Sequence, residues 1–293
     1  MRFGAKVANG NGMNKHQVRM GGRLVSLHRP LVMGILNITP DSFFDGGKYI
    51  QASEVALRVK AMVEQGADIL DIGGMSTRPG AQPLSVQEEM NAVALGLDAV
   101  RSLQLDVPIS VDTYRAEVAE MALQKGAHMI NDVSGGDWDP DLWKVVAKFQ
   151  VPYVLTHVQG TPQTMQHAPS YRDVVREVTQ ELHQKLTRLY QLGIMDVWVD
   201  PGFGFGKTLG HNYALLRELP FMRQVLDAPL LVGVSRKKMI QEVCKASAKE
   251  VLPGSLAAAT LAMVGGASIL RVHDVQETAQ AVAVFEAYIA HPG

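Results

Sequence analysis

Val197-Trp-Val-Asp-Pro-Gly-Phe-Gly-Phe-Gly-Lys-Thr208 closes a short apolar run with a carboxylate, Asp200, and follows it with a glycine-rich loop that ends in a cation. A nucleotide-binding P-loop reads G-x-x-x-x-G-K-[ST] after a strand. Gly206-Lys207-Thr208 fits the tail of that pattern, but Pro201 stands where its first glycine is required. What remains is the exit of a buried strand carrying an acid, a bend and a loop. Similar exits recur along the chain. Residues 31–37, 69–73, 107–112, 128–131, 153–157, 197–200, 230–234 and 269–272 are short β-rich runs, eight in all. Between them, residues 53–65, 85–103, 116–125, 142–150, 171–192, 211–219, 255–264 and 275–290 repeat apolar side chains at helical spacing. Gly66, Gly126, Gly193 and Gly265 fall at or just past the ends of such stretches, where a left-handed cap favours glycine. Eight alternations of strand and helix predict a (β/α)₈ TIM barrel, an α/β fold that does not divide into domains. A doubly wound open sheet is the alternative.

Composition agrees with a large core and focal binding chemistry. The 293 residues are 47% hydrophobic, and the formal net charge of -1 gives no general attraction to nucleic acid or to an acidic membrane surface. Any anionic ligand must be met by locally placed cations. Cys244 is the one cysteine, so neither an internal disulfide nor a thiolate metal site is expected, which suits a reducing cytoplasm. The first residues lack the apolar core of a secretory signal, and residues 1–22 read as a loose tail ahead of a barrel domain over 23–293.

In such a barrel the carboxyl ends of the strands converge on one face, so polar residues that close apolar runs are candidate ligand contacts. Asn37, Asp112, Asn131 with Asp132, His157, Asp200, Ser235-Arg236-Lys237, and Arg271 with His273 all occupy such ends. A lone Asp or Asn there is more simply a helix cap or a turn residue. Thr113 and Asp274 are expected to cap the helices that follow them. Seven such ends together point to a site. Two carboxylates and an amide beside a lysine suit a flat heterocycle with several N–H donors and one carbonyl, as in a purine or pterin. Arg271 and His273, two residues apart on one strand, face the same side and offer cations to a phosphate. Asn37 offers an oxygen to a hard divalent ion, whose shell phosphate oxygens and waters would have to complete.

Leu36-Asn-Ile-Thr-Pro-Asp-Ser-Phe-Phe-Asp-Gly-Gly47, Asp71-Ile-Gly-Gly-Met-Ser-Thr-Arg-Pro-Gly80, Ser110-Val-Asp-Thr113, Asn131-Asp132, Asp200-Pro-Gly-Phe-Gly-Phe-Gly-Lys207, Gly233-Val-Ser-Arg-Lys237 and Arg271-Val-His-Asp274 occur in that order. Together they resemble the dihydropteroate synthase family of folate biosynthesis, from about Leu31 to the C-terminal helix. The resemblance implies a transferase in which p-aminobenzoate displaces pyrophosphate from 6-hydroxymethyl-7,8-dihydropterin pyrophosphate, with Mg2+ assisting, in a homodimer. It implies that Asp112, Asn131, Asp200, Lys237 and Arg271 hold the pterin. Asn37, Thr77, Arg271 and His273 would hold pyrophosphate, with Asn37 on the metal. Phe43, Thr77, Arg78, Pro79, Phe205, Lys207, Ser235 and Lys238 would form the p-aminobenzoate slot. Asp45, Lys237, Arg271 and His273 would serve catalysis. Loops 39–48 and 76–82 would close over the substrates, pterin first. Met75, Thr156 and Lys238 depart from the family pattern, where Glu, Met and Ser are common. A corrinoid-dependent pterin methyltransferase shares the strand-end acids but has no use for a pyrophosphate site. An inactive pterin-binding paralogue is opposed by the intact clusters.

Overall fold

The computed structural model describes residues 17–38, 48–74, 84–161 and 169–291. Strands β1 (Gln17–Met20) and β2 (Arg23–Ser26) form an antiparallel hairpin. The barrel strands are β3 (Leu31–Asn37), β4 (Ile69–Gly73), β5 (Ile109–Asp112), β6 (Met129–Asp132), β7 (Tyr153–Thr156), β8 (Val197–Asp200), β9 (Leu230–Val232) and β10 (Ala267–Val272). They are parallel and close on themselves in the order β10-β3-β4-β5-β6-β7-β8-β9, so the expected eightfold barrel forms and no sheet edge is left among its strands. The outer layer holds α1 (Lys48–Glu64), α2 (Val86–Ser102), α3 (Ala116–Gln124), α4 (Leu142–Phe149), α5 (Val174–Gln191), α6 (Leu209–Arg217), α7 (Leu219–Leu226), α8 (Lys238–Cys244), α9 (Leu252–Val264) and α10 (Val275–Ala290). No helix among the described residues is long and apolar enough to cross a membrane.

The period of two along each strand splits the core. Val32, Leu70, Ile72, Val111, Ile130, Leu155, Val199 and Val232 face outward and pack with the helices. Leu31, Met33, Ile69, Met129, Val154, Trp198, Leu231 and Ile269 fill the barrel interior. Val18 and Met20 of β1 join that inner cluster and are buried. Gln17 to Gly22, expected to end a loose tail, therefore belong to a hairpin that seals the barrel with two apolar side chains.

Three local expectations are corrected. The helix expected over 211–219 becomes α6 and α7, because Pro220 in the first turn of α7 cannot donate to a preceding carbonyl and starts a new helix instead. Gly265 is right-handed and the positive φ falls on Gly266, one residue later. Asp274 occupies the N-cap position of α10 and Thr113 precedes α3, but neither side chain caps. Asp274 pairs with Arg236, and the Thr113 hydroxyl donates to Glu89.

Candidate active site

Two residues beyond the inner apolar layer, the same strand faces turn polar: Ile69 is followed by Asp71, Met129 by Asn131, Val154 by Thr156, Trp198 by Asp200 and Ile269 by Arg271. Parallel register sets these residues side by side. Asn37 lies opposite Gly73, Gly73 opposite Asp112, and Asp112 opposite Asn131; Thr156 lies opposite Asp200. The floor of the site is thus the next layer up from the hydrophobic filling. Gly73 leaves it room, since a Cβ there would stand 3.1 Å from Asn37 Oδ1.

Arg271 organises this floor. Its Nε donates to Asp71 Oδ2 at 2.6 Å and its Nη2 to Asp112 Oδ2 at 2.6 Å. Asn131 Nδ2 donates to the same Asp71 oxygen at 3.0 Å. Burial works against the guanidinium charge, but Asp71 and Asp112 outweigh it and Arg271 is raised above the ordinary arginine value. Burial pushes the Asp112 carboxyl up to about 7, with Arg271 pulling the other way. Burial also raises Asp200, against Lys237, and one Asp200 oxygen accepts from Gly202 N at 2.7 Å.

The loop after Asp200 carries the opposite wall. Lys237 Nζ donates to Phe203 O and lies 4.5 Å from the centre of the Phe205 ring. Burial lowers Lys237 to about 8, opposed by Asp200. Gly202 has φ 74°, and a Cβ there would overlap the His157 carbonyl oxygen, so only glycine lets this loop pack on β7. Lys207, expected in the open slot, turns inward. Its Nζ donates to Phe205 O at 3.0 Å and His157 O at 3.3 Å, and meets His157 Nδ1 at 2.9 Å. His157 Nε2 is 3.3 Å from Glu181 on α5. Ser235 Oγ lies 3.1 Å from His273 Nδ1 and accepts from His273 N at 3.2 Å. Lys238 is exposed at the first turn of α8. Arg236, with φ 57°, spans β9 and β10 by a two-point pair with Asp274 at 2.6 and 2.8 Å.

The sequence profile described as pterin binding enzyme matches residues 33–273. The chain is 44% identical to dihydropteroate synthase of Escherichia coli over 271 residues, 92% of this chain and 95% of that protein. The chain belongs to the dihydropteroate synthase family. It is therefore a transferase of folate biosynthesis. Among solved dihydropteroate synthases, that of Xanthomonas albilineans with 4-aminobenzoic acid superposes with a TM-score of 0.86 at 41% identity, covering 94% of this chain and 99% of that one. The same enzyme in complex with 7,8-dihydropteroate gives a TM-score of 0.83 at 38% identity, covering 94% of this chain and 100% of that one.

Within this dihydropteroate synthase fold, Asp112, Asn131, Asp200, Lys237 and Arg271 gather at one end of the barrel as expected from their strand ends, and Asn37 stands at their rim. Asp45, Phe43, Thr77, Arg78, Pro79 and Met75 lie outside the described residues. Sequence reasoning gave no role to Asp71, which is fully buried and ties Asn131 to Arg271. A signal for it existed, since Asp71 shares interior parity with Ile69. Glu181 had no such signal, because its partner His157 is 24 residues away in sequence and the helical periodicity gives it no special place.

Proposed function

We propose that the site takes 6-hydroxymethyl-7,8-dihydropterin pyrophosphate and p-aminobenzoate and yields 7,8-dihydropteroate and pyrophosphate. The observation that carries this reading is the interior polar layer, with Asp112 and Asp200 as acceptors and Asn131 as donor in a floor organised by Arg271, and with Lys237 as donor from the facing wall. Two carboxylates accept from the pterin amino and ring N–H groups, and Lys237 donates to the ring carbonyl. Arg271 is held by its Nε and Nη2, so its flat face and Nη1 remain for the ligand. His273, oriented by Ser235, faces the pyrophosphate together with Arg271. Phe205 walls the p-aminobenzoate slot.

The N8 lone pair of the dihydropterin, conjugated through the C8a=C4a and N5=C6 double bonds, supports departure of pyrophosphate from the methylene carbon. The C–O bond breaks first, and Arg271 and His273 meet the charge that builds on the leaving oxygens, which stabilises the transition state rather than the bound substrate. The p-aminobenzoate nitrogen then forms the C–N bond and loses one proton. Loops 39–48 and 76–82, which apart from Lys48 lie outside the described residues, would on the family resemblance shield the cationic intermediate from water. p-Aminobenzoate is expected to bind only after the pyrophosphate-bearing pterin or pyrophosphate itself.

Asn37 supplies one neutral oxygen, and no cluster of three or more His, Cys, Asp or Glu suited to a metal occurs among the described residues. Such a donor set fits Mg2+ that arrives with the substrate pyrophosphate and keeps waters in its shell. Bound there beside Asn37, it would neutralise the leaving group. Leu261 and Val264 of α9 with Val284, Tyr288 and Ile289 of α10 are exposed apolar side chains on two packed helices, which supports a homodimer, and the single cysteine supports a reducing, cytoplasmic location. A coupled pyrophosphate-release assay tests the reading. Release should require both substrates and Mg2+ and be lost in Arg271→Ala. Release that is independent of p-aminobenzoate, or retained in Arg271→Ala, overturns it.

A further inference from the structure

Behind the Gly202 to Lys207 loop lies a chain of ionisable groups that the reaction does not use. It runs from Lys207 through the buried His157 ring to Glu181 and Lys185 on α5 and on to Asp137 after β6. Each step is short: 2.9 Å from Lys207 Nζ to His157 Nδ1, 3.3 Å from His157 Nε2 to Glu181, 3.2 Å from Lys185 to Glu181 and 2.6 Å from Lys185 to Asp137. The polarity of the chain is fixed at both ends. A lysine ammonium only donates and a carboxylate only accepts. His157 therefore accepts at Nδ1 and donates from Nε2, as a neutral imidazole in a single tautomer. Burial, followed by the Lys207 charge, lowers the His157 pKa, in keeping with that neutral form.

We infer that Glu181 is a positioning residue for the reaction, acting through His157 and Lys207 on the loop whose Phe203 carbonyl and Phe205 ring hold Lys237. The inference rests on the reading of Lys237 and Phe205 as substrate contacts. Without an acceptor at Glu181, His157 can move its proton to Nδ1, where it opposes the Lys207 ammonium and leaves that buried charge without its ring partner. Lys207 then has only the Phe205 and His157 carbonyls, and the loop loses its anchor to β7. Tyr171, whose hydroxyl donates to Gly206 O at 3.1 Å and whose ring centre lies 6.2 Å from that of His157, secures the far side of the same loop. The groups that face Lys207 electrostatically are Asp200, Lys237 and Glu181, besides His157 itself; those that face His157 are Lys207, Glu181 and Lys185. Burial lowers Lys207 to about 7, and Asp200 and Glu181 both hold it up.

Two variants separate shape from charge, because Glu181 is partly exposed on a long helix and tolerates change. Glu181→Gln keeps an acceptor for His157 and removes the charge. Glu181→Leu removes both. With full-length enzyme, Glu181→Leu should lower kcat/KM for p-aminobenzoate about tenfold, the scale on which orienting partners act. Its ¹⁵N-histidine spectrum should show His157, assigned by loss of its signal in His157→Gln, leaving the Nε2–H tautomer. Glu181→Gln should keep the tautomer and stay within about threefold of wild type at neutral pH. Its alkaline limb of kcat/KM should move to lower pH, since Lys207 loses a charge that held its proton. Wild-type kinetics and an unchanged His157 signal in Glu181→Leu overturn the inference. Should that variant fail to fold, an unshifted limb in Glu181→Gln overturns it alone. Asp200→Asn is measured alongside. If Asp200→Asn is impaired and the Glu181 variants are not, only this inference fails; if Asp200→Asn is fully active, the reading of the site fails with it.

Discussion

Replacing Asp200 by Asn changes one atom in a place where the surrounding geometry dictates what that atom must do. One Asp200 oxygen accepts from Gly202 N at 2.7 Å, and the other lies 4.0 Å from where a Cβ would stand on Gly233. An asparagine keeps its oxygen toward Gly202, since that N–H has to be paired, and so turns its NH₂ toward the ligand. A pterin N–H would then meet a donor. The variant loses a hydrogen bond to a charged acceptor and leaves a ligand donor unpaired, together about 3–4 kcal/mol in the transition state. At about 1.4 kcal/mol per decade this is a 10²- to 10³-fold fall in kcat/KM for the pterin pyrophosphate. Burial raises the Asp200 pKa, but its charge also holds the protons of the buried Lys237 and Lys207; the two effects oppose, and thermal unfolding should stay within about 5 °C of the wild-type temperature. Continuous detection of released pyrophosphate, with the pterin substrate varied and p-aminobenzoate saturating, measures the fall. A loss under about threefold in a variant that unfolds normally would refute the assignment of Asp200 to the pterin edge.

The pH profile of kcat/KM should be a narrow bell. Asp112, pushed up to about 7, accepts a pterin N–H only when ionised, so activity rises with pH through that value. Lys237, lowered to about 8, donates only when protonated, and Lys207, lowered to about 7, anchors the loop beside it only when protonated, so activity falls as pH passes these values. Asp112→Asn should remove the acid limb; a flat profile across about pH 6 to 9 in wild type contradicts the scheme. Gly202→Ala places a Cβ on the His157 carbonyl and a side chain at φ 74°, so it should unfold at least roughly 3 °C earlier and lose turnover, as differential scanning and the same assay will show. Lys238→Ser should leave KM for p-aminobenzoate within about twofold, since an exposed lysine in the first turn of α8 forms at most a screened pair with the carboxylate. A large rise in KM would instead place that ammonium on the substrate.

Much of the barrel was readable because two periodicities coexist along one chain. Runs such as Val197–Asp200 are too short and too apolar for helices, and the stretches between them repeat at helical spacing, so strand count and order followed. Strand ends were less well resolved. β9 stops at Val232 where 230–234 was expected, since pairing is local and composition does not report it. The hairpin of Gln17–Met20 with Arg23–Ser26 was missed because its inward-facing apolar residues, Val18 and Met20 with Val25 partly buried beside them, make too short a pattern to stand out beside Asn and Gly. Asp200, Asp112 and Asn131 were legible as polar ends of apolar runs. Asp71 was not singled out because Ile72 and Gly73 continue the strand beyond it, which disguises an interior polar residue as one more position in a hydrophobic segment. The inward turn of Lys207 depends on His157, fifty residues away, and no local pattern encodes it.

The charges of this floor explain why arginine rather than lysine stands at position 271. Asp71 and Asp112 approach from neighbouring strands, and a single ammonium is a point charge that cannot hold both at fixed angles. A guanidinium can, since its Nε and Nη2 lie in one plane and donate in different directions. That plane is then immobilised by two anchors, and the face it presents is flat. A flat, rigid cation is what a planar ring needs beneath it, and the same group keeps Nη1 for phosphate oxygens at the ring's substituent. On the proposed reading, binding and leaving-group stabilisation share one side chain, and the buried carboxylate Asp71, touching neither substrate, sets the geometry of both.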